Sequence, residues 1–374
     1  MIYLDNSATT KPCKKAVEYL NNALTENWGN PSSLHILGMN AEDIVDASRK
    51  AVAKTLNAKE SEIIFTSCGS EANNMAFMSA LYRKNRGNRI ITTTIEHPSV
   101  LEAAKRMEGL GFEVIYLKPS ASGVISLDDL KSALNEKTLL VSIMTVNNEI
   151  GTIQPIEAAV KLTRQLSHFA YFHTDAVQAY GKMHINAQKL GVDMLTASGH
   201  KIHAPKGIGF LYKNQKCHLA PFIVGGGQEK GLRSGTESVP LIAALQGAVE
   251  ELPNPIAQLL KMRELYNYAK EKITLDGDVI INSFDDGLPY ILNVSIPGYR
   301  SETMLHFLES KGIYVSSGSA CAKGSTSYVL KEIGANEKLQ DSMLRISFNH
   351  TTTKDDIDKL CDALAIAKKQ IRKV

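Results

Sequence analysis

Short apolar segments alternate with helix-like segments over the first two thirds of the chain, and this alternation restricts the fold more than any other feature. Seven apolar segments have the length of β-strands. They are residues 63–65, 89–94, 112–117, 139–146, 171–174, 194–197 and 208–212. Helix-like segments lie between most of them, at residues 71–86, 99–110, 127–134 and 156–166. The pattern predicts an α/β protein with a mostly parallel, seven-stranded sheet between helices.

The connection between the last two predicted strands is a turn rather than a helix, so we expect an antiparallel strand at one edge of the sheet. Proteins of this class bind ligands at the loops that follow the strands. No G-x-G-x-x-G sequence opens any of the predicted helices, and Gly207-Ile208-Gly209 leads into a strand instead. A dinucleotide site is therefore not expected.

The two ends of the chain differ in character from this repeating region. Residues 1–40 are rich in turn-forming residues and are expected to be irregular, whereas 41–57 have the apolar spacing of an amphipathic helix. Two prolines interrupt the chain within residues 251–256, and a long helix is predicted at 258–273.

Two further strands are predicted in the C-terminal part, at residues 290–296 and 313–316. We therefore expect a large domain formed by residues 13–254. A smaller α+β domain would consist of residues 1–12 and 255–374.

Composition and charge exclude several kinds of function. Lysine and arginine total 42 against 39 aspartate and glutamate, so a net charge of +3 gives no support for direct nucleic-acid binding. The five cysteines include no C-x-x-C pair, which argues against a structural metal site and fits a reducing compartment. No basic and apolar leader and no apolar run of 18 residues is visible, so neither secretion nor a membrane span is expected. These features predict a cytoplasmic protein without a structural metal site.

Lys201 lies on a polar turn between the last two predicted strands. Burial of a lysine favours its neutral amine, which can form a Schiff base with a carbonyl compound. Ser198 and His200 on either side would supply donors for an anion. The alternative is a solvated turn on which Lys201 only reaches water.

Other polar residues follow the predicted strands in the position where ligands bind. Gly69 and Ser70 form a small-residue turn before a helix, which suits a phosphate, although Ser70 could simply cap the helix. His97 precedes another helix, where its ring could stack on a planar molecule or move protons. The alternative is that His97 has only a structural role. Asn148 follows the fourth predicted strand.

Asp175 ends the fifth predicted strand, and Gln178 follows three residues later. A carboxylate at the end of a buried strand needs a cationic partner, and a protonated pyridine nitrogen would be one, although Asp175 could instead cap the next segment. Together with Lys201, His97 and the phosphate turn, these residues describe a site for pyridoxal 5'-phosphate.

Eight motifs carry a resemblance to a known family. They are YLDNSATT at 3–10, GNPSS at 29–33, EH at 96–97, VNNEIG at 146–151, HTDAVQ at 173–178, SGHK at 198–201, RSGTE at 233–237 and SSGSAC at 316–321. In this order they resemble the cysteine desulfurases of the NifS/IscS type. These enzymes belong to the class V aminotransferase group of fold-type I pyridoxal phosphate enzymes.

The resemblance implies a role for each candidate residue in cofactor binding. Lys201 would bond the cofactor covalently, His97 would stack on its ring, and Asp175 would pair with the pyridine nitrogen. The other implied cofactor ligands are Gln178 at the ring hydroxyl, Ser70, Ser198 and His200 at the phosphate beside Gly69, and Asn148. In this family the residue that matches Thr236 reaches the phosphate of a neighbouring subunit, so the resemblance also implies a homodimer.

The resemblance likewise implies the substrate site. Arg345 and Asn148 would hold the carboxylate of L-cysteine, and Asn6 would border the same pocket. Cys68 occupies a position in the phosphate turn where the family more often has glycine, so the backbone could differ there.

Cys321 determines which reaction is expected. Small residues surround it, with Ser316–Ala320 before it and Gly324, Ser325 and Thr326 close behind, so the segment is expected to be flexible and exposed. A lone cysteine is often an inert core residue, but an exposed thiol in a reducing compartment suits a nucleophile. In the family the matching cysteine attacks the substrate sulfur and carries it as a persulfide. An acceptor protein would then receive the sulfur, for iron–sulfur cluster assembly or for thiolation of tRNA or a cofactor; both destinations remain open.

Three other functions would also fit parts of the pattern. A selenocysteine lyase or an ordinary aminotransferase of the same fold would keep Lys201 and Asp175 without depending on Cys321. A scaffold protein that had lost the cofactor would keep only the fold.

Overall fold

The structure is a computed structural model that describes residues 1–275, 277–318 and 327–373. Within these ranges the protein forms twelve strands and thirteen helices. The strands are β1 (Ile2–Tyr3), β2 (Ile63–Thr66), β3 (Arg89–Thr93), β4 (Glu113–Leu117), β5 (Thr138–Ser142), β6 (Tyr171–Asp175), β7 (Met194–Ser198), β8 (Gly209–Lys213), β9 (Ile280–Ile281), β10 (Ile291–Ser295), β11 (Ile313–Tyr314) and β12 (Met343–Ser347). The helices are α1 (Lys14–Thr25), α2 (Ile36–Thr55), α3 (Gly69–Leu81), α4 (Pro98–Gly109), α5 (Leu127–Ala133), α6 (Ile156–Leu166), α7 (Ala187–Leu190), α8 (Val239–Glu251), α9 (Pro255–Thr274), α10 (Ser301–Ser310), α11 (Tyr328–Glu332), α12 (Glu337–Asp341) and α13 (Lys354–Gln370).

The central sheet has seven strands in the order β2-β8-β7-β6-β5-β3-β4, so all seven predicted strands are present. Every strand except β8 runs in the same direction. The predicted antiparallel edge is present, because β2 at the edge pairs antiparallel with β8, which is second in the order. The reason is tertiary: β8 turns back beside β7, and β2 from earlier in the chain then pairs with its open side.

Strands β5 and β7 are buried along their whole length, as expected for parallel strands covered on both faces. The apolar segment predicted as one strand at 139–146 pairs as a strand only to Ser142. Residues 143–146 stay buried after the strand ends, so burial rather than strand pairing explains their apolar character.

The expectation that residues 1–40 are irregular is wrong. Helix α1 forms within this range and buries Ala16 and Ala23. It packs closely on α8, where a Cβ atom on Gly247 would lie 2.6 Å from the carbonyl oxygen of Lys15. Helix α2 also begins earlier than predicted, at Ile36, because the ring of His35 accepts a hydrogen bond from the Gly38 amide.

The C-terminal part contains a second sheet, in which β10 pairs antiparallel with both β12 and β9. Strand β1 joins this part of the protein by pairing with β11. The predicted strands at 290–296 and 313–316 correspond to β10 and to the shorter β11.

Among the helices of the described ranges, none combines the length and the apolar character needed to cross a lipid bilayer.

Candidate active site

A cleft opens where β2, β3, β5, β6 and β7 end at the same edge of the central sheet. Its empty volume is about 830 Å³, including the part open to solvent. Ten of the thirteen predicted site residues line it: Gly69, Ser70, His97, Asn148, Asp175, Gln178, Ser198, His200, Lys201 and Arg345. Nine of them come together because parallel strands deliver the loops that follow them to one edge, and Arg345 reaches the cleft from β12 of the second sheet.

Lys201 ends a short 3₁₀ turn that follows directly after β7. Its Nζ atom donates to the backbone carbonyl oxygens of Ser7 and, at 2.7 Å, Ala8. Both carbonyls belong to the N-terminal segment that the sequence placed beside the cleft. Contacts to these two backbone carbonyls therefore hold the amine at the wall of the cleft.

Asp175 is the last residue of β6 and is 6% exposed. One carboxylate oxygen accepts from the amide of Val177 at 2.9 Å, and the other accepts from Asn73 Nδ2 at 2.8 Å. The two donors fix the plane of the carboxylate in the cleft without neutralising its charge. Such a group is suited to hold a protonated ring nitrogen.

Asn73 also connects Asp175 to His97. Its Nδ2 atom donates to Ser99 Oγ at 2.9 Å, and that hydroxyl lies 2.8 Å from His97 Nδ1. The amide of Ser99 donates to the same ring nitrogen at 3.2 Å, so Nδ1 is an acceptor and the neutral ring carries its proton on Nε2. Burial lowers the pKa of His97, against the opposing effect of the Asp175 charge, so the ring is neutral at neutral pH.

The part of the cleft at the start of α3 is rich in hydrogen-bond donors. Gly69 begins α3, and a Cβ atom there would lie 2.9 Å from a methyl carbon of Val177, so the close approach requires glycine. Ser70 is exposed at the first turn of the same helix, and Ser198 is buried at the end of β7. The helix N-terminus and these two hydroxyls together suit an anion such as phosphate.

His200 lies beside this part of the cleft, with Nδ1 3.2 Å from the hydroxyl of Thr9. Burial, reinforced by the nearby charge of Lys201, lowers the pKa of His200 to about 4, so its ring is neutral at neutral pH. Cys68, just before α3, has extended backbone with φ of −172°, which any residue adopts. The cysteine therefore imposes no backbone change at a position where glycine was expected.

Arg345 lies on β12 and is only 1% exposed. Its guanidinium donates to Asp5 Oδ1 and to the backbone oxygen of Asn148, each at 3.0 Å. Asn148 is also buried, and its Oδ1 has no hydrogen-bond partner within the described residues, as is true of Ser7 Oγ. Since buried polar atoms are normally hydrogen-bonded, these two atoms indicate that the cleft accepts a polar ligand.

Three predicted site residues are not in this cleft. Asn6 is buried behind it, where its amide donates to the carbonyls of Tyr3 and Ser347 at 3.1 and 2.9 Å. Thr236 lines a separate cleft with Arg233 and Glu237. Cys321 lies outside the described residues.

Sequence reasoning missed Asn73, Asp5 and Lys182. Asn73 lies in the middle of a helix and Asp5 in a turn-rich segment, where polar residues are common. Lys182 is buried and donates to Gln178 Oε1 at 2.9 Å. Its spacing of four residues from Gln178 was the only available signal.

Comparison with known proteins identifies the family of the chain. The sequence matches the family described as aminotransferase class-V over residues 2–360. A NifS/IcsS protein homolog from Lactobacillus delbrueckii subsp. bulgaricus is 43% identical over 374 residues, covering 97% of this chain and 96% of that protein. The cysteine desulfurase IscS of Dictyoglomus turgidum is 39% identical over 381 residues, covering 100% of this chain and 96% of that protein.

Solved structures give the same result. A NifS-like protein superposes with a TM-score of 0.92 at 36% identity, covering 99% of this chain and 100% of that one. SspA in complex with cysteine has a TM-score of 0.83 at 36% identity, covering 94% of this chain and 100% of that one. The predicted fold, family and enzyme class are therefore confirmed, and the class V fold is that of pyridoxal phosphate enzymes. The chain belongs to the aminotransferase class-V family and, within it, to the cysteine desulfurases of the NifS/IscS type.

Proposed function

We propose that this chain uses pyridoxal phosphate, bonded to Lys201, to take sulfur from L-cysteine. The products would be L-alanine and a persulfide on Cys321. The observation that carries the proposal is the convergence of a lysine amine, a buried carboxylate and a neutral histidine ring in one cleft that also holds a buried arginine. No single one of these groups would indicate the reaction.

The cleft fits the proposed cofactor at each of its chemical groups. Lys201 would bond the aldehyde, Asp175 would pair with the ring nitrogen, and His97 would lie against the ring. The donors at the start of α3, with Ser198 and His200, would hold the phosphate. The unpartnered Oδ1 of Asn148 offers a further acceptor inside the same cleft.

Substrate recognition is assigned to Arg345 and Asn148. A buried guanidinium presents donors in a fixed plane and is suited to bind a carboxylate in two-point fashion. The Nε atom of Arg345 is buried and has no hydrogen-bond partner within the described ranges, so donor capacity remains for a ligand. The related SspA was solved in complex with cysteine, which supports an amino acid of this size as the substrate.

When bound, pyridoxal phosphate supplies an electron sink that stabilises negative charge on the α-carbon of an amino acid. The chain's own groups then move the protons. The Nζ atom of Lys201, as a free amine, would accept the α-proton of the substrate. The neutral ring of His97 would carry a proton on Nε2 toward the reacting atoms.

Cys321 is proposed to remove the sulfur. Its thiolate would attack the sulfur of L-cysteine, forming a sulfur–sulfur bond while the bond from sulfur to the β-carbon breaks. The bonding pair stays with the carbon skeleton, which would take up one proton at the β-carbon and regain the α-proton from Lys201 before it leaves as L-alanine. Cysteine and the Cys321 thiol are thus converted to alanine and a persulfide, with no external oxidant or reductant.

The described residues on either side of Cys321 support this role. Ser316 exchanges backbone hydrogen bonds with Arg345 at 3.1 and 2.7 Å. Ser327 donates its hydroxyl to the buried carboxylate of Glu149, next to Asn148. The segment that carries Cys321 therefore starts and ends beside the proposed substrate site.

We also propose a homodimer in which Thr236 contributes to the phosphate site of the partner subunit. The separate cleft that Thr236 lines in its own subunit supports this division.

The proposed domains remain residues 13–254, and residues 1–12 with 255–374. The persulfide would pass to an acceptor protein for iron–sulfur cluster assembly or for thiolation of tRNA or a cofactor. The protein would act in the cytoplasm.

The decisive experiment measures sulfide and alanine release from L-cysteine with a thiol reductant, while the absorbance of the bound cofactor is recorded. Wild type is compared with Cys321→Ala, with Cys361→Ala as the control thiol. Lys201→Ala is paired with Lys206→Ala, which changes an exposed lysine in the same loop. We expect Cys321→Ala to keep the cofactor absorbance and lose both products, and Lys201→Ala to lose the absorbance of the covalently bound form.

Other results would favour the other functions. Product release that persists in Cys321→Ala would indicate a selenocysteine lyase or an aminotransferase, and rates with selenocysteine and with a keto acid would separate these two. A wild-type protein that takes up no pyridoxal phosphate would indicate a scaffold without a cofactor.

A further inference from the structure

Lys182 is a buried lysine beside the cofactor cleft that the proposed mechanism does not use. It is 6% exposed, and its Nζ atom donates to Gln178 Oε1 at 2.9 Å. Gln178 lines the cleft, whereas Lys182 lines a small cavity behind Lys201. Lys182 is therefore placed to act on the cleft through Gln178 rather than by touching a ligand.

The contacts of Gln178 determine which way round its amide lies. The Nζ atom of Lys182 has N–H donors in both its protonated and its neutral form, and it faces the oxygen of the amide. The Nε2 atom of Gln178 donates to the backbone oxygen of Ser7 at 2.9 Å, and that oxygen can only accept. A donor on one side and an acceptor on the other fix the amide with its NH₂ group toward the N-terminal segment.

The same carbonyl links Gln178 to the reactive lysine. The backbone oxygen of Ser7 accepts from both Gln178 Nε2 and Lys201 Nζ. The NH₂ group of Gln178 is thereby held beside the amine that is proposed to bond the cofactor. If the amide rotated by half a turn, its oxygen would face the oxygen of Ser7 and no donor would remain at this position.

Keeping an amine at this depth has an energetic cost. Burial, together with the charges of Lys201 and Arg345, lowers the pKa of Lys182 to about 7. A methionine of similar size would fill the space without burying a polar group. The cost is understandable if the hydrogen bond to Gln178 has a function.

We propose that Lys182 is a positioning residue, which holds the Gln178 amide with its NH₂ group available to an acceptor atom on the bound cofactor. The inference rests on the proposed function, since it requires that pyridoxal phosphate binds in the cleft. It assigns a purpose to the four-residue spacing between Gln178 and Lys182.

The test measures the affinity of the cofactor-free protein for pyridoxal phosphate, followed by absorbance. The variants are Lys182→Met and Lys182→Gln, which are nearly equal in shape and differ mainly in whether the side chain can donate. We expect Lys182→Met to bind the cofactor about 5- to 10-fold more weakly, as for the loss of one hydrogen bond. Lys182→Gln should retain an affinity within about 2-fold of wild type, since its amide can still donate.

A double variant separates positioning from a general structural role. In a Gln178→Ala background, adding Lys182→Met should change the affinity by less than about 2-fold, because the residue through which Lys182 acts is gone. The melting temperature of Lys182→Met should be unchanged or higher, since a buried amine has been removed. Lys189→Met, which changes an exposed lysine on α7, serves as the control and should behave as wild type.

Two results would overturn the role of Lys182 alone. They are an unchanged affinity in Lys182→Met, or the same loss with and without Gln178. A wild-type protein that does not bind pyridoxal phosphate would instead overturn the proposed function and this inference together.

Discussion

Arg345 and Asp5 join the two ends of the chain at the floor of the cleft, with guanidinium Nη2 3.0 Å from carboxylate Oδ1. Asp5 belongs to the N-terminal segment and Arg345 to the last strand. Burial raises the pKa of Asp5, and the Arg345 charge opposes this effect. The pair holds the guanidinium in place, and its remaining donors are those proposed to bind the substrate carboxylate.

We predict that Arg345→Gln raises the KM for L-cysteine about 10- to 100-fold, because charge-assisted hydrogen bonds to the substrate carboxylate are lost. The absorbance of bound cofactor should change little, since the residues assigned to the cofactor are other ones. Steady-state kinetics and the visible spectrum measure the two effects. Arg300→Gln, which removes an arginine with a 66% exposed side chain, is the control. A KM equal to that of wild type would contradict the assignment of Arg345.

Asn73 links Asp175, the proposed partner of the cofactor's ring nitrogen, to His97, the proposed stacking ring, by way of Ser99. We predict that Asn73→Ala lowers kcat about 10-fold or more, because a hydrogen bond to a buried charged group contributes about 1.5–3 kcal/mol. Ser99→Ala removes only the link to His97 and leaves Asp175 held by Asn73, so its effect should be smaller. Initial rates at saturating L-cysteine distinguish the two variants. Equal effects would mean that the contact to Asp175 is not the important one.

Glu96 lies next to His97 and is fully buried, with one carboxylate oxygen that has no hydrogen-bond partner within the described residues. Burial raises its pKa from 4.5 to about 8. Since the folded pKa is above the unfolded one, its contribution to stability is complete below pH 4.5 and is lost as the pH rises through about 8. The loss amounts to about 1.4 kcal/mol per pH unit within that window.

We therefore predict that Glu96→Gln gains stability relative to wild type as the pH rises. Between pH 5.5 and 7.5, the difference in the free energy of unfolding between variant and wild type should increase by roughly 2–3 kcal/mol. Urea denaturation at the two pH values measures it. Glu102→Gln, with a 67% exposed side chain, should follow wild type. A constant difference for Glu96→Gln would mean that the carboxyl is not protonated in the folded protein.

Gly247 permits the contact between α1 and α8. We predict that Gly247→Ala lowers the free energy of unfolding by about 1–3 kcal/mol, because the new Cβ would lie 2.6 Å from the Lys15 carbonyl oxygen. Gly109→Ala is the matched control, since a Cβ at this position on α4 meets nothing within 4 Å. That variant should be neutral or more stable by up to about 1 kcal/mol. Thermal or urea denaturation of both variants tests the contact.

The alternation of apolar and helix-like segments predicted the central sheet because each strand is short, continuous and buried on both faces. It could not predict α1, since that helix buries only two alanines and owes its stability to contact with α8. It predicted an antiparallel edge but not that β2 is its outer strand, because the pairing of β2 with β8 joins segments far apart in the chain.

The sequence by itself determined the fold class, the family and the chemical types of the proposed cofactor-binding residues, because strand ends and motif order are local features. Only the tertiary structure decided which groups support them: Asn73 behind Asp175, Lys182 behind Gln178, and Asp5 beside Arg345. Each of these contacts joins side chains whose polar character is unremarkable in the sequence. These contacts matter because the groups are buried. A polar group removed from water needs a hydrogen-bond partner, and only the folded structure decides which residues lie close enough to provide one.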